Sequence, residues 1–111
     1  MELSTGLMRY CAAVMQTVDG EATKDGDKTT VQLRDMETVC IYTINSKKIH
    51  VQMSGQNTSQ DYSIERVGDN YACSFRVSSN SRSPRKMQRV VNERNAAEKF
   101  REWITSEFPI V

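Results

Sequence analysis

The residues best suited to chemistry in this chain are cations gathered in one stretch. Between Asp69 and Glu93 there is no acidic side chain, while Arg76, Arg82, Arg85, Lys86 and Arg89 all fall there. The acids that balance them lie elsewhere, notably Asp19, Glu21, Asp25, Asp27, Asp35 and Glu37. The chain is therefore electrically polarised along its length. Planar guanidinium forks suit carboxylates and phosphates, so the chemistry on offer is recognition of an anionic group. Lys48 and His50, on the polar side of an expected strand, complete the set. The binding residues expected from sequence are thus Arg76, Arg82, Arg85, Lys86, Arg89, Lys48 and His50. Ser83-Pro84-Arg85-Lys86 also has the form of a proline-directed kinase site. A phosphate there would place about −1.5 to −2 charges among arginines, folding the segment down or weakening anion binding.

Catalysis has less to stand on. The single histidine, His50, lies beside Lys48 and Gln52. A general base needs a nucleophile and an orienting carboxylate within reach. No G-x-S-x-G, P-loop, H-E-x-x-H or paired-carboxylate arrangement occurs. The expectation is a non-enzyme without catalytic residues, metal or cofactor. Asp19 to Asp27 is rich in acids, but its spacing fails the EF-hand pattern and Lys24 interrupts it. Cys11, Cys40 and Cys73 are odd in number, far apart and outside any C-x-x-C. They read as buried small hydrophobes in a reducing compartment rather than a zinc site or disulfide framework. Asn57-Thr58-Ser59 matches a glycosylation sequon, but no basic-then-apolar leader precedes it. It reads as a polar turn, and the location expected is intracellular, cytoplasmic or nuclear.

Bulk properties narrow the classes further. A length of 111 residues suits a single globular domain, residues 1–111. With 38% hydrophobic and 26% charged residues, the chain has the balance of a folded protein rather than a disordered one. A net charge of +1 supplies no global field towards nucleic acid or membrane. No apolar run approaches a transmembrane span.

The cations must be positioned by the elements around them. The clearest is a C-terminal helix from Asn95 to Phe108, stopped by Pro109. Asn95 suits an N-cap, with Glu98 at capping-box spacing. Ala97, Phe100, Ile104 and Phe108 form an apolar stripe with Trp103 on its flank. From Thr29 onward the period changes to two. Strands are expected around Val31 and Leu33, over Thr38–Ile44, over Lys48–Met53, over Tyr62–Glu65 and over Tyr71–Val77. Asn45-Ser46 and Val67–Asn70 read as hairpin turns. Asp19–Asp27, Ser54–Asp61 and Ser78–Pro84 read as loops, and Met87–Val91 as a short strand or separate turn.

Residues 4–18 fit two patterns. Leu7, Cys11, Val14 and Val18 share a helical face, while Met8, Tyr10, Ala12, Val14 and Val18 alternate as in a strand. The fold class is α+β: an antiparallel β-meander of five to seven short strands with the C-terminal α-helix packed on it. Residues 4–18 are an N-terminal helix or, alternatively, the first strand of a roll whose element order is similar to pleckstrin-homology-like folds.

These features point to a non-enzymatic interaction module. It would bind a protein, or an anionic group on one, through the basic loop and a free sheet edge, and would serve equally as a small inhibitor of a larger target. The alternative is a nucleic-acid-binding module using the same cations, with anionic lipid and homodimerisation as further partners of the same surfaces. Against nucleic acid, the expected outer sheet face (Gln32, Lys48, His50, Gln52, Glu65, Arg76) carries no stacking aromatics.

Overall fold

The structure, a computed structural model, describes residues 1–35, 37–79 and 82–110, with the side chain of Arg82 excepted. Met36, ahead of the expected strand Thr38–Ile44, and Asn80 and Ser81, in the expected loop Ser78–Pro84, lie outside the described residues.

Among the described residues the chain forms two helices and seven strands. They run in the order α1 (Thr5–Met15), β1 (Gly20–Asp25), β2 (Lys28–Leu33), β3 (Val39–Ile44), β4 (Ile49–Ser54), β5 (Thr58–Val67), β6 (Asn70–Ser79), β7 (Arg82–Val91) and α2 (Glu93–Glu107). All seven strands pair antiparallel in chain order, β1 to β7. The fold is the expected α+β meander at the upper end of the strand count.

Residues 5–15 resolve as helix. Leu7, Cys11 and Met15 recur at four-residue steps and are buried, and the Ser4 side chain caps the helix by accepting from the Leu7 N–H at 3.1 Å. The pleckstrin-homology-like alternative required a strand here and falls with it.

Three expected loops are corrected to strands. β1 lies within Asp19–Asp27; all six of its residues are exposed, so no alternation marked it. Its turn into β2 places Gly26 at φ 62°, as a two-residue hairpin turn requires. β5 begins at Thr58, inside the expected connection Ser54–Asp61. Of the expected loop Ser78–Pro84, Ser78 and Ser79 end β6 and Arg82 to Pro84 begin β7. Pro84 offers no N–H to a strand ladder. It is accommodated because β7 is an edge, and because Ser83 and Pro84 together stand against Ser78 where the register slips.

The start of α2 also moves. Asn92, not Asn95, is the N-cap, and its Oδ1 accepts from the Asn95 N–H at 2.8 Å. The helix then buries Ala96, Phe100 and Ile104, followed by Phe108. Ala97, placed on the stripe by sequence, is only half-buried.

Both helices pack on the same sheet face over a core including Val31, Cys40, Ile49, Val51, Ile64 and Tyr71. Tyr71 joins the two helix N-termini to β6. Its hydroxyl accepts from the Ser4 N–H and donates to Glu93 Oε1, both at 3.3 Å. At the far end of α2, Val18 bridges to Ile110 and the Asp19 N–H donates to the Pro109 carbonyl at 2.7 Å.

All three thiols are free and buried. Burial pushes Cys11 and Cys40 up to about 12, with Cys73 adding to the effect on Cys11. The folded protein thus holds thiol protons that the unfolded chain loses above its ordinary value of 9.0. Stability is expected to be fully present below about pH 9 and to fall as pH rises towards about 12. Urea midpoints across that range should decline less steeply in Cys40→Ala than in the parent. In the same assay Asn92→Ala should cost about 1 kcal/mol, and Asn95→Ala less than about 0.5 kcal/mol.

Candidate functional site

The strand register divides the cations expected to act together. On one face of the β6–β7 hairpin Arg89 stands opposite Cys73, Met87 opposite Phe75, and Arg85 opposite Val77. On the other, Lys86 stands opposite Arg76, Gln88 opposite Ser74, and Val90 opposite Ala72. Cys73 belongs to the core, so Arg85 and Arg89 lie on the helix-bearing side. Arg76 and Lys86 lie on the outer side, with His50 and Lys48. Arg82 opens β7, but its side chain lies outside the described residues.

β7 is an edge: among the described residues no strand pairs with its far side. Every side chain from Ser83 to Val90 is exposed, including Met87 and Val90 at 57% each. The other edge, β1, is shorter and has no comparable run of cations.

On the helix side, α2 seats over β5 and β6 and stops short of β7. Trp103 stacks on Tyr62 with centroids 5.0 Å apart and planes 17° apart, and meets Phe75 and Phe108 edge-on at 5.9 and 5.6 Å. Between α2 and β7 this leaves a groove of about 520 Å³ with Phe75, Met87 and Trp103 in its floor and Arg89, Lys99 and Glu102 along it. A second hollow of about 530 Å³ shares Phe75 and Met87 and adds Val77, Ser83 and Arg85. The Trp103 indole N–H has no acceptor among the described residues. Burial raises the Cys73 thiol, against smaller lowering effects from Tyr62 and Lys99, so it borders the groove without nucleophilic character.

The groove was not legible in the sequence because one of its walls is β7, whose first half was read as a loop. A signal was present in Arg85, Met87 and Arg89. At period two they place a large apolar side chain between two cations on one strand face.

On the outer side, His50 Nε2 lies 3.1 Å from Asp61 Oδ1, and Lys48 pairs with Glu65 at 3.4 Å. Asp61 is the carboxylate partner that the sequence could not assign to His50. Arg76 stands between Asp61 and Lys86 in the register. Among the described residues neither Arg76 nor Lys86 forms an ion pair. A cleft of about 420 Å³ runs past these groups, with Ser63 and Ser74 beside it.

Among the described residues no group of three or more His, Cys, Asp or Glu side chains could hold a metal ion. No helix there is long and apolar enough to cross a membrane. No protein-family model, curated protein or solved structure matches the chain.

The outer face carries a testable consequence. Like charges directly opposite each other on antiparallel strands repel. Lys86→Gln is therefore expected to stabilise the protein by about 0.2–1 kcal/mol in urea melts at low salt. The gain should shrink in high salt; no change at any ionic strength would show that the two cations do not interact.

Proposed function

We propose that the chain is a non-enzymatic interaction module that captures an extended, acidic segment of a partner protein along β7. The observation that carries this reading is the edge itself: ten residues of strand, side chains exposed from Ser83 to Val90, cations on both faces and an apolar groove alongside. The unpaired backbone groups of an edge strand bind a partner strand, while side-chain pockets select its sequence. Alternate side chains of an added strand would meet the groove, where Met87 lies between Arg85 and Arg89. An apolar residue flanked by acidic ones complements that pattern.

The same charges act against a second copy. Antiparallel pairing of two β7 strands would bring Arg85, Lys86 and Arg89 of each close to those of the other, and the Pro84 bulge interrupts the ladder. Charges, proline and bulges are the devices that keep exposed edges from pairing with themselves. An acidic guest reverses the sign of the first of these. Nucleic acid is the weaker fit, because Tyr62, Phe75 and Trp103 pack on one another on the helix side rather than standing open on the outer face.

The test uses extended peptides of about ten residues alternating Leu or Phe with Glu, followed by the emission of Trp103, the single tryptophan. Saturable binding is expected, weakened at least about tenfold by Arg85→Glu with Arg89→Glu, and likewise by Met87→Glu. No binding of such peptides, with steeply salt-dependent binding of single-stranded oligonucleotides instead, would replace this reading with the nucleic-acid one.

A further inference from the structure

On the sheet face turned away from the helices, we infer a second site, an oxyanion receptor for a phosphate monoester. It is built by Arg76 and Lys86 with Ser63 and Ser74, and it is separate from the groove along α2.

Four strands bring these groups together. The outward row on β4, β5, β6 and β7 reads His50, Ser63, Ser74, Gln88, and the next row reads Gln52, Asp61, Arg76, Lys86. Two cations thus face each other directly, an arrangement that opposes folding when nothing lies between them. Neither has an ion-pair partner among the described residues. Asp61, the acid bordering the cleft, has Oδ1 on His50 Nε2 at 3.1 Å, and Glu65 engages Lys48 at 3.4 Å. The Ser63 and Ser74 side chains, opposite each other across β5 and β6, make no hydrogen bond among the described residues. Donor capacity is therefore left over in one place: a guanidinium fork, an ammonium and two hydroxyls. With its Nε2–H donating to Asp61, the neutral His50 ring offers only an acceptor at Nδ1, so it borders the cleft and holds Asp61 without adding a donor.

The ligand that matches is a phosphate monoester. At neutral pH it carries close to two negative charges and three terminal oxygens. It can therefore neutralise both cations while accepting from the guanidinium fork and the hydroxyls. A carboxylate carries one charge and two oxygens, and would leave one cation uncompensated. A cleft of about 420 Å³ admits the phosphoryl group together with the carbon chain of its ester. The ester has two sources: a phosphorylated serine or threonine of a partner protein, or a small free metabolite.

The test is titration of the full ¹⁵N-labelled chain with O-phosphoserine, with a short phosphoserine peptide, and with the same peptide carrying aspartate. Saturable shifts are expected at the amides of Ser63, Ser74, Arg76 and Lys86 with both phosphorylated probes. Lys86→Gln and Arg76→Gln should each weaken binding at least about tenfold, the range for charged hydrogen bonds. Lys28→Gln, on β2 towards the other edge of the sheet, should leave it unchanged. Lys86→Gln is also the variant expected to gain stability, so its loss of binding would not reflect unfolding. Tighter binding of the phosphopeptide than of O-phosphoserine would assign the site to a protein partner, and equal binding to a small ester. Shifts of the Ser63 and Ser74 amides as large with the aspartate peptide as with the phosphopeptide would overturn the proposal. So would shifts that survive both substitutions, or none at millimolar ligand.

Discussion

The structure depends on one contact above the others, the seating of Trp103 of α2 flat against Tyr62 of β5. Phe75 and Phe108 close on the indole edge-on, and Phe100 meets Tyr62 at 5.9 Å on its other flank. Offset and edge-on aromatic pairs add to ordinary burial about 0.5–1.5 kcal/mol each. An isolated helix the length of α2 is marginal in water, so this docking decides both that it forms and where it lies. Once Trp103 is fixed over β5 and β6, the helix cannot also cover β7. The groove, the exposed Met87 and the open edge all follow from that placement.

The alternation of strand side chains then does the rest. A single basic segment becomes two surfaces of different character, because successive residues of β7 point to opposite sides of the sheet. On the helix side Arg85 and Arg89 border apolar ground. On the outer side Lys86 meets Arg76 among serines and the Asp61–His50 pair. The first arrangement suits an amphipathic strand and the second a compact dianion. Both leave charge uncompensated in the unbound protein, which is the kind of local conflict with stability expected where a surface serves binding.

Much of the architecture was legible in the sequence. The period-two runs around Ile49–Met53 and Tyr71–Val77, the Val67–Asn70 turn and the aromatic stripe of α2 all report elements with one dry face. β1 escaped because it is exposed throughout, and an edge strand without a buried face leaves no periodic trace. The second half of β7 was legible as a short strand or turn over Met87–Val91, while its first half escaped because it is exposed and carries Pro84, whose tolerance depends on an edge and a bulge that only the completed sheet supplies. Asn95 was mistaken for the cap because Asn92 offers the same side chain three residues earlier, and tertiary packing of Ala96 chose between them. The cations were legible as a set, but their partition was not. It follows from register, as does the approach of Asp61 to His50 from eleven residues away.

The most direct test of the account is residue-resolved amide hydrogen exchange on the free chain, because every functional statement requires β7 to be a formed strand with an open side. Amides of β5 and β6 should be protected throughout, while in β7 protection should alternate, high for those facing β6 and close to that of an unfolded peptide for those facing away. Uniform protection along β7 would mean that the edge is already occupied in the free protein. Absence of protection there would mean that no strand stands ready for a partner.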